Sequence, residues 1–287
     1  MLPIHEFILW NNCSNNCKFC WQKLEKQQTY TEQLNSITLI ARAVEKLKDT
    51  HVLFVGGEIF DSKDDILNGA LFKLFELTLD KMQKGDIELL YINTNILYNI
   101  NRVLLPVLKK ISDNNMLHRV HFTTSGDNYG RFNKVNNRDL FYANLEQIRS
   151  LYADLPIYVN IILTNNFCDD VLSDKFNILE YEKTLNVEVN TIPYIKFGKV
   201  IHAPTRQKVW DTILHLNEQM PGYGVKYCNN FLLNQNIVLQ KYYQGNIVNI
   251  SSNKSVCKHS ENFKRCYADS DECFVCDCAK LKALMEG

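Results

Sequence analysis

Three cysteines, Cys13, Cys17 and Cys20, lie within eight residues of one another in the spacing C-x3-C-x2-C. Cysteine thiolates are soft ligands that hold zinc or iron–sulfur clusters. A cubane cluster normally takes four cysteine ligands, so three would leave one iron able to bind a small molecule. A tetrahedral zinc would need a fourth ligand, and His5 is the only close candidate in the sequence. The segment from Cys13 to Cys20, called the cysteine loop below, therefore indicates a metal centre, either a cluster or a zinc site completed by a distant residue.

A second group of cysteines lies near the end of the chain. Its five members are Cys257, Cys266, Cys273, Cys276 and Cys278. The segment that contains them is polar and cannot supply much of a core, so we expect it to need a metal to fold. Four of these cysteines, or three with His259, would suit zinc, and Cys228 is a possible additional ligand. The isolated Cys168 is interpreted as a buried or incidental thiol.

Strand-like and helix-like segments alternate along most of the chain, and they must position these cysteines. The predicted strands are 6–10, 51–55, 87–92, 119–123, 157–163 and 187–192, and the predicted helices are 31–48, 71–82, 103–111, 139–151, 171–185 and 205–220. Six such β-then-α units predict a parallel sheet with right-handed crossovers, although the pattern alone leaves an open sheet and a partial barrel as alternatives. A small hairpin is expected near residues 244–246.

The cysteine loop and the triplet Gly56-Gly57-Glu58 each follow a predicted strand. Functional sites of parallel α/β folds form at the carboxyl ends of the strands, so both segments should meet at that edge. Glycines allow a backbone to approach a ligand closely, and Glu58 offers an acceptor to a positively charged group. An ordinary turn with a solvated glutamate is the alternative interpretation of this triplet.

The three-cysteine spacing after a first strand, with Phe19 just before the third cysteine, resembles the radical S-adenosylmethionine (SAM) superfamily over about residues 5 to 200. The resemblance implies a partial (β/α)6 barrel, in agreement with the six units. It also implies that the three cysteines bind a [4Fe–4S] cluster whose fourth iron is chelated by the amino and carboxylate groups of SAM. Phe19 would lie near the adenine.

Further cofactor contacts are implied at the later strand ends. Backbone carbonyls of the segment from Gly56 to Glu58, and Glu58 itself, would accept hydrogen bonds from the methionine ammonium of SAM. Short polar side chains would bond the ribose and the carboxylate, and the candidates are Asn95, Thr124, Ser125 and, less strongly, Asn160 and Asn166. Asn, Ser and Thr are common at any loop start, so the ordinary structural interpretation stays open for each.

The cysteine-rich tail resembles the SPASM or twitch extension of one branch of this superfamily. That resemblance implies an auxiliary iron–sulfur cluster, although the tight spacing of Cys276 and Cys278 departs from the usual pattern and zinc remains an alternative. The predicted organisation is a radical SAM partial barrel over residues 1–222 and a small cysteine-rich domain, a metal- or cluster-binding extension, over residues 223–287.

The implied reaction is reductive cleavage of SAM to a 5′-deoxyadenosyl radical, which takes a hydrogen atom from a substrate. An electron donor such as flavodoxin or ferredoxin would be the partner, and the substrate could be a peptide, a protein, a small molecule or a nucleotide. The alternative class is a zinc-stabilised, non-catalytic module that binds nucleic acid or protein. Basic and acidic residues balance at 32 each, which gives no global attraction to nucleic acid. The sequence shows neither a secretory signal nor an apolar run of membrane-spanning length, so a cytoplasmic protein is expected.

Overall fold

Six strands alternate with helices in the computed structural model, which confirms the predicted α/β class. The structure describes residues 2–15, 17, 20, 27–132, 134, 136–193, 204–224, 238–243 and 246–248. The strands are β1 (Ile4–Ile8), β2 (Thr50–Val55), β3 (Ile87–Asn93), β4 (Val120–Ser125), β5 (Ile157–Leu163), β6 (Glu188–Pro193), β7 (Val238–Tyr243) and β8 (Asn246–Val248). The helices are α1 (Tyr30–Val44), α2 (Asp65–Gln83), α3 (Leu104–Asp113), α4 (Asn137–Leu151), α5 (Asn165–Leu172), α6 (Ile178–Leu185) and α7 (Arg206–Gln219), with a 3-10 turn at Leu117–Arg119.

One predicted helix, over residues 171–185, is wrong, because the structure has α5 and α6 there instead. The chain breaks at Asp174, whose φ of 57° lies in the left-handed region that ends a helix. The side chain of Asn177 then accepts a hydrogen bond from the backbone N–H of Glu180 and starts α6. The local capping residues therefore outweigh the apolar periodicity that suggested one continuous helix.

The chain divides into two compact units, and the first contains residues 1–125, 132–158 and 237–250. Its strands lie in the order β4-β3-β2-β1-β7-β8. Strands β1 to β4 pair in parallel, and β7 pairs antiparallel with β8, which confirms the predicted hairpin. Strand β7 also pairs in parallel with β1, a contact that the sequence did not predict. The tail cysteines lie outside the described residues, so the cysteine-rich extension and the division at residue 222 stay predictions.

The core of the first unit lies on one face of its parallel strands. Phe7, Phe54, Ile92 and Phe122 occupy matching register positions on β1 to β4 and are fully buried. The ring of Phe54 packs against Phe75 of α2, with 5.2 Å between the ring centroids. Because side chains alternate along a strand, the neighbours of these residues lie on the opposite face. This opposite face carries Tyr91 and His121 among others. It is only half-buried and is called the half-buried face below.

The second unit contains residues 126–131, 159–236 and 251–287, so the division between the units falls within β5. Strands β5 and β6 are neighbours, and α5, α6 and α7 belong to this unit. Thr205 caps α7, which corresponds to the predicted helix over 205–220, because its hydroxyl accepts the backbone N–H of Lys208. Among the described residues of both units, none of the helices is long and apolar enough to cross a membrane.

Candidate cofactor and metal site

The cysteine loop leaves the end of β1 and is closed at its base by side-chain amides. The backbone N–H of Gln28 donates to Asn12 Oδ1 at 2.9 Å, and Asn12 Nδ2 donates back to the Gln28 carbonyl at 3.0 Å. Gln28 Oε1 also accepts the backbone N–H of Asn11 at 2.9 Å. Directly after this closure, Thr29 caps α1 through a reciprocal capping box with Glu32. These contacts join residues 11 and 12 to residue 28 and so fix the two ends of the longer segment that contains the cysteine loop, whatever the loop binds.

The two glycines after β2 allow the chain to lie against the start of the cysteine loop. The Gly57 N–H donates to the Trp10 carbonyl at 2.7 Å, and the Glu58 N–H donates to the Asn12 carbonyl at 2.8 Å. A Cβ atom on Gly57 would lie 2.3 Å from the Asn12 carbonyl oxygen and 2.4 Å from that of Asn11, far inside van der Waals contact. The close neighbour of the glycines is therefore the chain's own backbone, a role that the sequence analysis had assigned to a ligand.

Glu58 is buried, with 3 % of its surface exposed, and its carboxylate binds groups of the protein itself. It accepts hydrogen bonds from the Asn95 backbone N–H at 2.6 Å, the Thr94 hydroxyl at 2.7 Å and the Phe60 backbone N–H at 3.3 Å. The Thr94 hydroxyl also lies 2.7 Å from the Tyr98 hydroxyl. Loss of hydration raises the pKa of Glu58 to about 7, although the three hydrogen bonds act in the opposite direction. Glu58 therefore braces the end of β2 against the segment that follows β3.

Two side-chain amides reach the cysteine sulfurs. Asn15 Nδ2 lies 3.2 Å from Cys17 Sγ, and Asn95 Nδ2 lies 3.6 Å from Cys13 Sγ. Burial, with smaller contributions from the nearby Glu58, Cys17 and Cys20, raises the pKa of Cys13 to about 12, although a hydrogen bond from the Asn15 backbone acts in the opposite direction. The three sulfurs are thus close enough to interact electrostatically.

The donor set suits a soft metal centre. A bound metal binds the thiolate form of cysteine and so overcomes the effect of burial on the pKa. Three sulfurs from one closed loop, two of them with amide donors, are ligands of the kind that an iron–sulfur cluster requires. In the part of the chain that the structure describes, however, three or more His, Cys, Asp or Glu side chains do not converge into a ready metal site.

A cavity of about 240 Å³ opens beside Cys13 and Glu58. Most of its lining residues carry polar side chains, and the residues are Trp10, Asn12, Cys13, Ser14, Gln27, Gln33, Glu58, Asp61, Ser62 and Leu67. Ligand pockets usually measure roughly 300–1,000 Å³, so this cavity would hold part of a cofactor-sized molecule. Cys13 therefore borders a space with room for a small group.

The remaining predicted site residues fall in different places. Thr124 lies on the face of β4 that carries the core residue Phe122, whereas Ser125 lies on the half-buried face. The Thr124 hydroxyl is buried and has no hydrogen-bond partner among the described residues. Asn160 is half-buried on β5 in the second unit. Phe19 and all five cysteines of the tail lie outside the described residues, whereas Cys168 is fully buried, as predicted.

Sequence reasoning missed several residues that build this site. Asn12 and Gln28 close the loop, Asn15 reaches Cys17, and Asn137 of α4 donates to Asn15 Oδ1 at 3.2 Å. The Asn-rich composition of the loop was visible in the sequence, but loop asparagines usually have ordinary turn roles. No specific pattern in the sequence therefore distinguishes these four residues.

Comparison of this chain with protein-family models and with curated proteins finds no match. The site joins Cys13, the buried Glu58 carboxylate and the side-chain amide of Asn95 at the carboxyl ends of β1, β2 and β3, and a second amide, that of Asn15, reaches the sulfur of Cys17. Such an arrangement suits a redox or Lewis-acidic metal centre with access to a small polar ligand.

Proposed function

We propose that this chain is a radical SAM enzyme, with a [4Fe–4S] cluster bound by Cys13, Cys17 and Cys20. The six β-then-α units would then form a partial (β/α)6 barrel, with the cysteine loop and the Gly56-Gly57-Glu58 segment at its carboxyl edge. Three cysteine ligands from one loop suit a cubane with one open iron better than a closed zinc site.

The position of Asn95 is the observation that carries this proposal. Its side chain contacts Cys13, which follows β1, and its backbone N–H binds Glu58, which follows β2. Asn95 itself follows β3, so a single residue connects the ends of three strands. Two motifs that are 45 positions apart in the sequence, from Cys13 to Glu58, thus belong to one constellation.

When bound, the cluster supplies the electron for reductive cleavage of SAM, and the protein supplies position and exclusion of water. The amide contacts between Asn12 and Gln28 fix both ends of the longer segment that contains the cysteine loop. The cavity beside Cys13 is large enough for the amino-acid end of SAM. Because the Glu58 carboxylate is already bonded to three donors, its main role is to hold the strand ends, and a contact with the methionine ammonium would come in addition.

The tail would hold a second metal, either an auxiliary iron–sulfur cluster or a zinc ion, through Cys257, Cys266, Cys273, Cys276 and Cys278. Its role would be to help close the barrel or bind the substrate. A flavodoxin or ferredoxin would supply the electron in a cytoplasmic setting. The site specifies no substrate, so a peptide or protein and a small molecule or nucleotide remain alternatives.

The test is anaerobic reconstitution of the full-length chain with iron and sulfide. We expect a brown protein that, once reduced, releases 5′-deoxyadenosine slowly from SAM. Replacing Cys13, Cys17 and Cys20 together by Ala should remove one cluster's worth of iron, about four atoms. Cys168→Ala is the control, because this buried thiol belongs to the second unit and its loss should leave the iron content unchanged.

A different metal result would reverse the conclusion. If the triple variant keeps all of its iron and instead loses zinc, the cysteine loop is a zinc site. The alternative of a zinc-stabilised module that binds nucleic acid or protein would then be preferred. A wild-type protein that holds iron but never cleaves SAM would retain the cluster assignment and reject the enzymatic reaction.

A further inference from the structure

Two cysteine sulfurs of the loop receive a hydrogen bond from a side-chain amide, and the two amides come from different parts of the chain. Asn15 belongs to the loop itself, whereas Asn95 is 82 positions from Cys13 in the sequence. Both asparagines are buried, with 9 % and 8 % of their surfaces exposed. A buried amide that donates to a thiolate interacts more strongly than one in water, because the surroundings screen the charge poorly.

The orientation of each amide is fixed by what its oxygen accepts. Asn95 Oδ1 accepts the backbone N–H of Leu97 at 2.8 Å, and Asn15 Oδ1 accepts a hydrogen bond from Asn137 Nδ2 at 3.2 Å. A backbone N–H only donates, so it identifies the oxygen end of Asn95, and the NH2 end must face Cys13. The orientation of Asn15 depends on that of the Asn137 amide, and in the structure its NH2 end faces Cys17.

The third cysteine differs from the other two. In the described part of the chain, Cys20 takes part in one backbone hydrogen bond, from its N–H to the Cys17 carbonyl at 3.3 Å, and no amide side chain donates to its sulfur. Among the described residues, the amide donors therefore reach Cys13 and Cys17. General loop packing would not by itself place one directed amide on each of these two sulfurs.

We propose that Asn15 and Asn95 are positioning residues that raise the reduction potential of the cluster, an inference that rests on the proposed function. An N–H group that points at a sulfur ligand stabilises negative charge on the cluster. The reduced cluster carries one more negative charge than the oxidised cluster, so this stabilisation favours reduction. Removing either donor should make the cluster harder to reduce.

The test uses Asn95→Ser and Asn15→Ser in the reconstituted full-length protein. A serine hydroxyl is too short to reach the cysteine sulfur, yet it can still accept a local backbone N–H as asparagine does in such turns. The reduction potential is measured by redox titration followed by electron paramagnetic resonance. Each variant should change the ratio of oxidised to reduced cluster about tenfold towards the oxidised form, which is ~59 mV for a one-electron couple.

Asn144→Ser is the matched control. Asn144 is also a buried asparagine of the first unit, but it donates to the backbone carbonyls of Ile96 and Tyr98 at 2.7 and 2.9 Å. Its loss should reduce stability without moving the potential. Asn137→Ser adds an intermediate case, because it leaves Asn15 in place and removes the group that orients it, so a smaller shift in the same direction is expected.

The outcomes separate this inference from the proposed function. If the wild-type protein forms no [4Fe–4S] cluster, both fail together. If a cluster forms and its potential is the same in both serine variants, or moves equally in Asn144→Ser, the inference alone is overturned. Should one variant not assemble a cluster, the other still decides the result, since the two amides act on different sulfurs. Fe–S(Cys) stretching bands in resonance Raman spectra should shift only in the Asn15, Asn95 and Asn137 variants.

Discussion

The Glu58 carboxylate accepts a 2.6 Å hydrogen bond from the backbone N–H of Asn95. Glu58 follows β2 and Asn95 follows β3, so this contact fixes the relative positions of two neighbouring strand ends. The carboxylate is buried, and the same asparagine reaches the sulfur of Cys13 with its side chain. The geometry of the cysteine loop therefore depends on a carboxylate that does not itself contact a sulfur through a hydrogen bond.

We expect Glu58→Ala to lower the free energy of unfolding by about 3 kcal/mol at pH 5, measured by urea denaturation of the metal-free protein. The substitution leaves the Asn95 and Phe60 N–H groups and the Thr94 hydroxyl without their acceptor, and an unsatisfied buried donor costs roughly 1–3 kcal/mol. Asp61→Ala, at a partly exposed position nearby, is the control and should change stability much less. An unchanged midpoint in Glu58→Ala would contradict the bracing role.

The raised pKa of Glu58 predicts a specific dependence of stability on pH. Its folded value of about 7 lies above the ordinary value of 4.5, so the folded state binds this proton more tightly than the unfolded state. The resulting stabilisation is complete below about pH 4.5, declines as pH rises, and is lost above about pH 7. The difference amounts to on the order of 3 kcal/mol.

The measurement is the free energy of unfolding between pH 4 and 8 for metal-free wild-type protein and Glu58→Gln. The glutamine cannot titrate, so the difference between the two proteins isolates the contribution of Glu58. Wild-type stability should fall relative to the variant between about pH 4.5 and 7. Parallel curves over that interval would show that the carboxyl titrates normally.

Gly57→Ala should displace the start of the cysteine loop. The new Cβ would lie 2.3–2.4 Å from two backbone carbonyl oxygens, and backbone atoms cannot move aside as a flexible side chain would. We expect a loss of several kcal/mol of stability and poor retention of iron after reconstitution.

Gly69→Ala is the matched control for that variant. A Cβ at this exposed position of α2 would meet no atom within 4 Å. Alanine favours a helix interior over glycine by roughly 0.5–1 kcal/mol, so this variant should be slightly more stable and keep all of its iron. Equal behaviour of the two alanine variants would argue against the close approach of β2 to the loop.

Thr124 and Ser125 should respond differently to the loss of their hydroxyls. Thr124→Val removes a buried hydroxyl that has no partner among the described residues, so stability should be unchanged or rise by about 1 kcal/mol, with SAM affinity unaffected. Ser125→Ala removes a hydroxyl from the half-buried face, and SAM binding should weaken by about 1 kcal/mol. Isothermal titration calorimetry of both reconstituted variants measures their affinity for SAM. Weaker SAM binding by Thr124→Val would show that Thr124 belongs to the cofactor site.

Truncation after residue 250 should retain the first cluster and some cleavage of SAM, because β7 and β8 remain in place. Truncation after residue 222 removes β7 and leaves the β1 edge without its parallel partner, so this shorter protein should be less stable and hold its cluster poorly. Stability and metal content of both proteins provide the measurement.

Metal analysis of the full-length chain against the 250-residue truncation tests the tail separately. About four extra irons in the full-length chain would indicate an auxiliary cubane, and one zinc would indicate a structural site. Equal metal content would show that the five tail cysteines bind no metal, and the role of residues 251–287 would then have to be sought elsewhere.

The sequence alone predicted the alternation of strands and helices. It also predicted that the cysteine loop and Gly56-Gly57-Glu58 each follow a strand. Helix periodicity, strand composition and caps such as Thr205 are encoded within a few neighbouring residues, so local patterns predict them. The carboxyl-edge rule then brings the cysteine loop and Glu58 to the same side of a parallel sheet without further information. The break between α5 and α6 escaped detection because Asp174 adopts a backbone conformation that its residue type permits but does not require.

The tertiary structure decided which partners these residues have. Asn95 lies 82 positions from Cys13, and Asn137 lies 122 positions from Asn15, so strand register and loop path determine whether they meet. The pairing of β7 with β1 has the same origin, because hydrogen bonds between backbones carry almost no side-chain signal. A carboxylate or an amide is chemically the same group in solvent as in the core, and only folding fixes the donors and acceptors that surround it.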